Sequence, residues 1–338
     1  MTPAITARPV AVRNGLKPPT ASLVRGTENE NKRTPANAQA RPSRRTEAGA
    51  ATAAVLVASI RQSVATTRTS TARDHCAILL LLVGEAMSTE RDRIVLITGA
   101  AGGIGAATAR TLVAEGAAVV VHDLRRDGRL AALADELGDA AHALEADLRD
   151  PAAADALWHE AVAWRGHVDV LINNAGIYEA ASPDDDLATW QASWERTLAI
   201  CLVSPAALCR VAIATFREQP GGGIIVSLAS RAAWRGEDAD YWHYAAAKAG
   251  VVAMTKTIAR QYGRQGVTAF AVAPGFVDTP FNAPAVAEHG MELFVNDTAL
   301  GEVAQPQDVA NVIAFLASGR ARHATGATVD VNTASYVR

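Results

Sequence analysis

From residue 94 onward, short apolar runs recur along the chain, each ending at glycine or at Asp or Asn. Ile94–Ile97, Ala118–His122, His142–Ala146, Val168–Ile172 and Gly223–Ala229 are continuous rather than alternating in polarity. That is the pattern of strands covered on both faces, as in a parallel sheet. Between them lie stretches with helical spacing: Ala106–Glu115, Arg129–Leu137, Ala152–Trp164, and two longer apolar ones around Ala192–Phe216 and Tyr241–Tyr262. Strands alternating with helices of this length predict an α/β domain, a doubly wound parallel sheet with helices on both faces. Ligands of such sheets sit beyond the carboxyl ends of the strands, where the glycine and Asp/Asn turns fall.

The first 86 residues break this pattern. They are dominated by Ala, Thr, Ser, Arg and Pro, and hold 12 Lys+Arg against 5 Asp+Glu. Such a segment buries too little surface to offset its ordering entropy, so residues 1–86 are expected to be a disordered extension and 87–338 the catalytic domain. Three readings of the extension stand side by side: an organelle transit leader, a regulatory tail, or upstream sequence preceding a true start at Met87. Its apolar runs, Ala50–Ile60 and Ala77–Val83, are too short to span a bilayer, and no run of about 18 apolar residues occurs elsewhere, so no membrane association is expected.

Composition adds little beyond exclusions. The 338 residues are 49% hydrophobic with a net charge of −3, which offers no electrostatic reason to expect nucleic acid as a partner. Cys76, Cys201 and Cys209 match neither a disulfide framework nor a zinc ribbon and fit a reducing compartment, so a cytoplasmic protein without a metal is expected.

The candidate chemistry begins after the first strand, at Thr98-Gly99-Ala100-Ala101-Gly102-Gly103-Ile104-Gly105. Glycines between a strand and a helix let the backbone approach a pyrophosphate, and the helix N-terminus offers N–H groups and a positive dipole end. Strand before and helix after make this a Rossmann-type dinucleotide turn. The second strand ends at Asp123, 18 residues beyond Gly105. A carboxylate there accepts from both adenosine ribose hydroxyls and repels a 2′-phosphate, so NAD(H) is favoured over NADP(H), although Arg125 and Arg126 are close enough to reach a 2′-phosphate.

Residues 87–338 contain only two lysines, Lys248 and Lys256. Lys248 follows Tyr244 by four positions on one helix face, where its ammonium would favour the phenolate. Lowering a phenol pKa of about 10 by three units requires roughly 4 kcal/mol. Fourteen residues before Tyr244, a strand delivers Ser230 to the same end of the sheet, where a hydroxyl can bond a substrate oxygen as charge develops on it.

These motifs, with Asn173-Asn174-Ala175-Gly176 and Pro274-Gly275-Phe276-Val277-Asp278-Thr279, make residues 92–332 resemble the short-chain dehydrogenase/reductase family. The resemblance implies that Tyr244 is the general acid/base, Ser230 orients the carbonyl, and Lys248 binds the nicotinamide ribose and lowers the tyrosine pKa. It also implies that Thr98, Gly99, Gly103, Ile104, Gly105, Asn174, Ala175, Gly176, Pro274 and Gly275 shape the cofactor site. Asp147 and Leu148 would flank the adenine, and Val277 and Thr279 would hold the carboxamide. Two departures stand out: Cys201 occupies the place where many members carry a proton-relaying asparagine, and Asp330-Val331-Asn332-Thr333-Ala334-Ser335 lacks the frequent glycine pair, a change expected to be local to an oligomer contact.

After Thr279 a helical stretch to about Leu300 is expected to form a lid, with Phe281, Met291, Leu293 and Phe294 facing a pocket that Trp234, Tyr241, Trp242 and His243 also line. No arginine cluster marks a carboxylate or phosphate handle, so the expected substrate is a ketone or secondary alcohol of modest size. The layout resembles 3-oxoacyl-acyl-carrier-protein reductase-like members most, whereas Asp123 suits an NAD-dependent alcohol, polyol or sugar dehydrogenase. A cofactor-binding sensor or scaffold without turnover is the non-enzyme alternative. The apolar helices around Ala192–Phe216 and Tyr241–Tyr262 are expected to pair across two-fold axes in a homodimer or homotetramer.

Overall fold

A computed structural model describes residues 93–124 and 127–338. The proposed extension at 1–86, the domain start at Met87 and the Arg125–Arg126 pair lie outside the described residues. Seven parallel strands form one sheet in the order β3-β2-β1-β4-β5-β6-β7. They are β1 (Ile94–Thr98), β2 (Ala118–Asp123), β3 (Ala141–Glu145), β4 (Val170–Asn173), β5 (Gly223–Leu228), β6 (Val267–Pro274) and β7 (Thr328–Val331). The order reverses between β1 and β4, which opens a crevice at their carboxyl ends. β6, buried at all eight positions, and β7 were not among the strands expected from the sequence.

Successive side chains of a strand point to opposite faces, so each strand feeds two cores. Val95 and Ile97 of β1 join one core beneath α1 (Gly103–Ala114) and α10 (Pro306–Ala317). Ile94 and Leu96 join the other, with Trp158 of α3 (Pro151–Arg165) and Phe216. Trp158 meets Phe216 edge-on at 5.5 Å, and its indole N–H donates to Thr215 Oγ1 at 2.9 Å. The remaining expected helix of the first half, α2 (Arg129–Leu137), has the bounds read from the sequence.

Two expected helices are broken. The stretch at Leu187–Glu218 is α4 (Leu187–Leu198) and α5 (Ser204–Glu218), joined by a π-helical turn at Ala199–Val203. Contrary to the expectation of no such segment, it is long and apolar enough to cross a bilayer by length and composition, with mean hydropathy 2.0 in its best window. Half of that window is buried against the protein's own core, as in the core helix of a globular fold. The lid divides at Gly290, whose φ of +78° suits glycine, into α8 (Ala283–His289) and α9 (Met291–Asn296). Short α6 (Ala232–Arg235) precedes the long α7 (Trp242–Tyr262).

Candidate active site

A cleft of about 1090 Å³ lies over the carboxyl ends of β1, β4, β5 and β6. At its deep end the β1–α1 turn is closed by contacts that leave no room for side chains. A Cβ on Gly99, at φ +66°, would stand 2.8 Å from Ala175 Cα, and one on Gly105 would stand 2.3 Å from the Gly99 carbonyl oxygen. Gly103, at φ +54°, faces Thr279 across the cleft, where a Cβ would meet Thr279 Cγ2 at 3.3 Å. Helix α1 has no side-chain cap at its N-terminus. The turn therefore presents backbone N–H groups and a positive dipole end, a cradle that fits a dinucleotide pyrophosphate.

Thr98 and Gly105 are not cleft-lining residues. Thr98 is 1% exposed, and its Oγ1 accepts from the Asn174 and Ala175 backbone N–H groups at 3.1 Å each. The Asn174 side-chain amide in turn donates to the carbonyls of Thr98 and Gly99 at 2.9 and 2.8 Å. These residues brace the β1 and β4 ends against each other. Gly99, Gly103, Ile104, Asn174, Ala175 and Gly176 border the cleft, as do Pro274, Gly275, Val277 and Thr279 on the opposite wall. Gly275 has its own close approach, because a Cβ there would lie 2.8 Å from Asn332 Cβ.

One end of the cleft is bordered by His122, Asp123, Asp147 and Leu148, the last three being those expected at the adenosine. Asp123 Oδ2 accepts from the Ala101 N–H at 3.1 Å, tying the β2 tip to the glycine turn. Asp147 is ion-paired with Arg149, and hydrogen bonds from that side chain and its backbone N–H hold its carboxyl below the usual range. Arg129, which sequence reasoning passed over, also borders the cleft, but its guanidinium is paired with Asp127 at 2.7 Å.

Ser230, Tyr244 and Lys248 converge at the other end. Ser230 lies two residues beyond β5 with its Oγ accepting from the Ala232 N–H at 3.1 Å, and its hydroxyl hydrogen-bonds the Tyr244 phenol. One turn along α7, Lys248 Nζ donates to the Leu228 carbonyl at 2.8 Å and stands 5.6 Å from the Tyr244 ring centre. Tyr244 and Lys248 are 9% and 4% exposed. Burial pushes the phenol well above its ordinary value and the lysine below its own, and the bond from Ser230 opposes the first shift.

Cys201 sits in the π-helical turn, 1% exposed, with its Sγ 3.5 Å from both the backbone N and the carbonyl oxygen of Ile177. The thiol spans the local backbone bonds but supplies only weak ones.

The substrate end differs from expectation. Tyr241, Phe281, Leu293 and Phe294 border it, while Trp234, Trp242, His243 and Met291 do not. His243 is fully buried beside Trp194, Trp242 is 52% exposed away from the cleft, and the Arg338 guanidinium covers Trp234 at 4.0 Å. Tyr178, missed in the sequence because the loop after Gly176 has no periodicity, stacks on Tyr241 at 4.0 Å and meets Tyr244 edge-on at 4.9 Å. Two arginines are present after all. Arg231 pairs with Asp297 at 2.6 Å and Arg235 approaches the same carboxylate at 3.6 Å. Glu237 lies beside them, with its carboxyl raised chiefly by burial.

A dinucleotide cradle and a buried Ser-Tyr-Lys group on one doubly wound sheet define a nicotinamide-dependent oxidoreductase. A family model described as enoyl-(acyl carrier protein) reductase matches residues 99–333, and the chain belongs to the short-chain dehydrogenase/reductase family. It is 38% identical over 244 residues to (5R,7aS)-5-hydroxy-7a-methyl-1-oxo-2,3,5,6,7,7a-hexahydro-1H-indene-carboxyl-CoA reductase of Mycobacterium tuberculosis, covering 71% of this chain and 92% of that one. It is also 38% identical to cis-4-hydroxycyclohexanecarboxylate dehydrogenase of Sinomonas cyclohexanicum, covering 74% and 98%. Among solved structures, 3-ketoacyl-(acyl-carrier-protein) reductase from Brucella melitensis, complexed with NADH, is similar with TM-score 0.66 and 30% identity, covering 72% and 98%. The protein is an enzyme acting on CH–OH and C=O groups with a nicotinamide cofactor.

Proposed function

We propose that the enzyme interconverts a secondary alcohol and a ketone carried on an alicyclic ring, prefers NAD(H), and uses Ser230, Tyr244 and Lys248. The observation that carries this reading is the convergence of those three side chains at the end of the cleft walled by the Tyr178–Tyr241 stack. The two stacked rings present a flat aromatic wall to the cleft, against which a substrate ring can lie shielded from water. The names of the two bacterial relatives, both describing ring substrates, support it.

A nicotinamide held in the cleft would supply or accept the hydride. Ser230 holds the substrate oxygen by a hydrogen bond, and Tyr244 gives its proton to that oxygen during reduction or takes it during oxidation. Lys248 keeps positive charge beside the phenol and the ribose. Asp123 is proposed to accept from the adenosine ribose hydroxyls, with Asp147 and Leu148 against the adenine and Val277 and Thr279 against the carboxamide. A cytoplasmic homodimer or homotetramer is part of this reading; exposed Leu187, Val203 and Trp242 on α4, the turn and α7 are its structural support. The acyl-carrier reductase reading keeps its support from the Brucella neighbour.

Reduced-cofactor consumption with NADH and NADPH, offered with cyclic ketones, ketoses and β-keto thioesters, tests the reading. Turnover of cyclic ketones with NADH, lowered at least 10²-fold by Tyr244→Phe, is expected. Turnover confined to NADPH and keto thioesters would replace it by the acyl reductase.

A further inference from the structure

The charge of the substrate end sets a condition on the ligand. Arg231 and Arg235 share the cleft with four carboxylates, Glu237, Asp238, Glu288 and Asp297. Asp297 occupies both arginines, and Glu237 lies within their field. An anionic group entering here meets a surplus of negative charge, and like charges in a partly dehydrated site repel strongly. The arginines therefore neutralise the lid and its neighbours and leave no unopposed positive handle.

Asp238 and Glu288 are exposed and Asp297 is held by the arginines, which leaves Glu237 as the partly buried carboxylate with bonding capacity to spare. An ionised carboxylate offers about four acceptor sites, whereas among the described residues Glu237 accepts only a long bond, from the Tyr178 hydroxyl to Oε2 at 3.5 Å. Tyr178 lies between Glu237 and the catalytic phenol: its hydroxyl points to the first, and its ring meets the Tyr244 ring edge-on at 4.9 Å. Glu237 and Tyr178 border the same cleft as Tyr244 and Ser230.

We propose that Glu237 determines specificity by accepting a hydrogen bond from a hydroxyl on the substrate across the ring from the reacting carbon, so that the preferred substrate is an uncharged alicyclic hydroxyketone or diol. The inference rests on the ring-ketone reading given above.

The test compares kcat/KM for three ketones with NADH: cyclohexanone, 4-hydroxycyclohexanone and 4-oxocyclohexanecarboxylate. The wild-type enzyme is expected to favour the hydroxyketone over cyclohexanone by about tenfold or more, because a site arranged to bond a hydroxyl discriminates against the analogue lacking it. In Glu237→Leu that ratio should fall to near one. Glu237→Gln, whose amide oxygen still accepts, should keep part of it. A purely structural role would lower turnover of both ketones together and leave the ratio unchanged. Melting curves with and without NADH show which variants are folded; if Glu237→Leu is not, the wild-type ratio and Glu237→Gln decide. Equal use of cyclohexanone and the hydroxyketone by wild type overturns the proposal. So does a preference for the carboxylate, which would give the site to Arg235. Turnover of none of the three overturns the ring-ketone reading itself, an outcome distinct from turnover without preference.

Discussion

Tyr244 shows how far a single residue's chemistry depends on what covers it. Its spacing from Lys248 was readable on one helix face, but the direction of its titration was not, because burial requires the other elements to be in place. A phenol raised by desolvation is protonated at neutral pH, the form that donates during ketone reduction. Alcohol oxidation needs the phenolate, so its rate should climb with pH through the neutral range and beyond about pH 9, while reduction, which draws on the protonated phenol, should stay nearly flat over the same interval. Initial rates in both directions at constant ionic strength check this, and an oxidation rate flat between about pH 7 and 10 would contradict it. Asp123 belongs to the same scale. Its bond to the Ala101 N–H holds a carboxylate at the β2 tip, so Asp123→Ser should shift the kcat/KM ratio from NADH toward NADPH by about tenfold or more. An unchanged ratio would remove the basis for the NAD preference.

At the scale of elements, the informative places are those where periodic structure is interrupted. The π-helical turn at Ala199–Val203 splits one expected helix and turns Cys201 toward Ile177. Helical spacing alone gives no sign of such a turn, since the flanking residues continue the same apolar pattern. The segment after β7 is the second case. Thr333 and Ala334 adopt φ of +50° and +55°, and they are the non-glycine residues with positive φ among those described. Glycine occupies this left-handed region without the cost of roughly 1–2 kcal/mol borne by other residues. The conformation is held by the Ala299 N–H, which donates to the Thr333 carbonyl at 2.8 Å, and by Asn332 packed on Gly275. The strain of these two residues is thus borne inside the protomer. Thr333→Gly should raise the melting temperature by about 2–4 °C, the shift that roughly 1 kcal/mol produces in a domain of this size. A melting temperature unchanged or lowered would show that the residue is not strained.

For the whole molecule, the sheet order brings the turns after β1, β2, β4, β5 and β6 together at the carboxyl ends of the strands, and helices α8 and α9 border the substrate end of the cleft there. Exposed Leu187, Val203 and Trp242 remain outside this arrangement, at 74%, 48% and 52%. Burying such residues in a symmetric interface is favourable by about 1.5–3 kcal/mol for each side chain fully covered. Light scattering after size exclusion should give a mass of two or four chains, and Val203→Glu should shift it toward one; a monomeric wild type would refute the assembly.

The amino-acid sequence alone determined the doubly wound architecture, the phosphate turn and the Ser230, Tyr244 and Lys248 group. Each depends on local order: continuous apolar runs, glycines at a strand exit, two side chains four positions apart on a helix. It also marked the place of Cys201. What only the tertiary structure decided comes from groups distant in the chain. Thr98 is a strut because Asn174 and Ala175, from another strand end, donate to it. Arg231 and Arg235 are a neutralised pair because Asp297 returns from the lid to meet them. Tyr178 walls the active site because Tyr241 lies flat against it. Charge balance, desolvation and cavity shape are sums over everything packed nearby, and no window along the chain contains those neighbours.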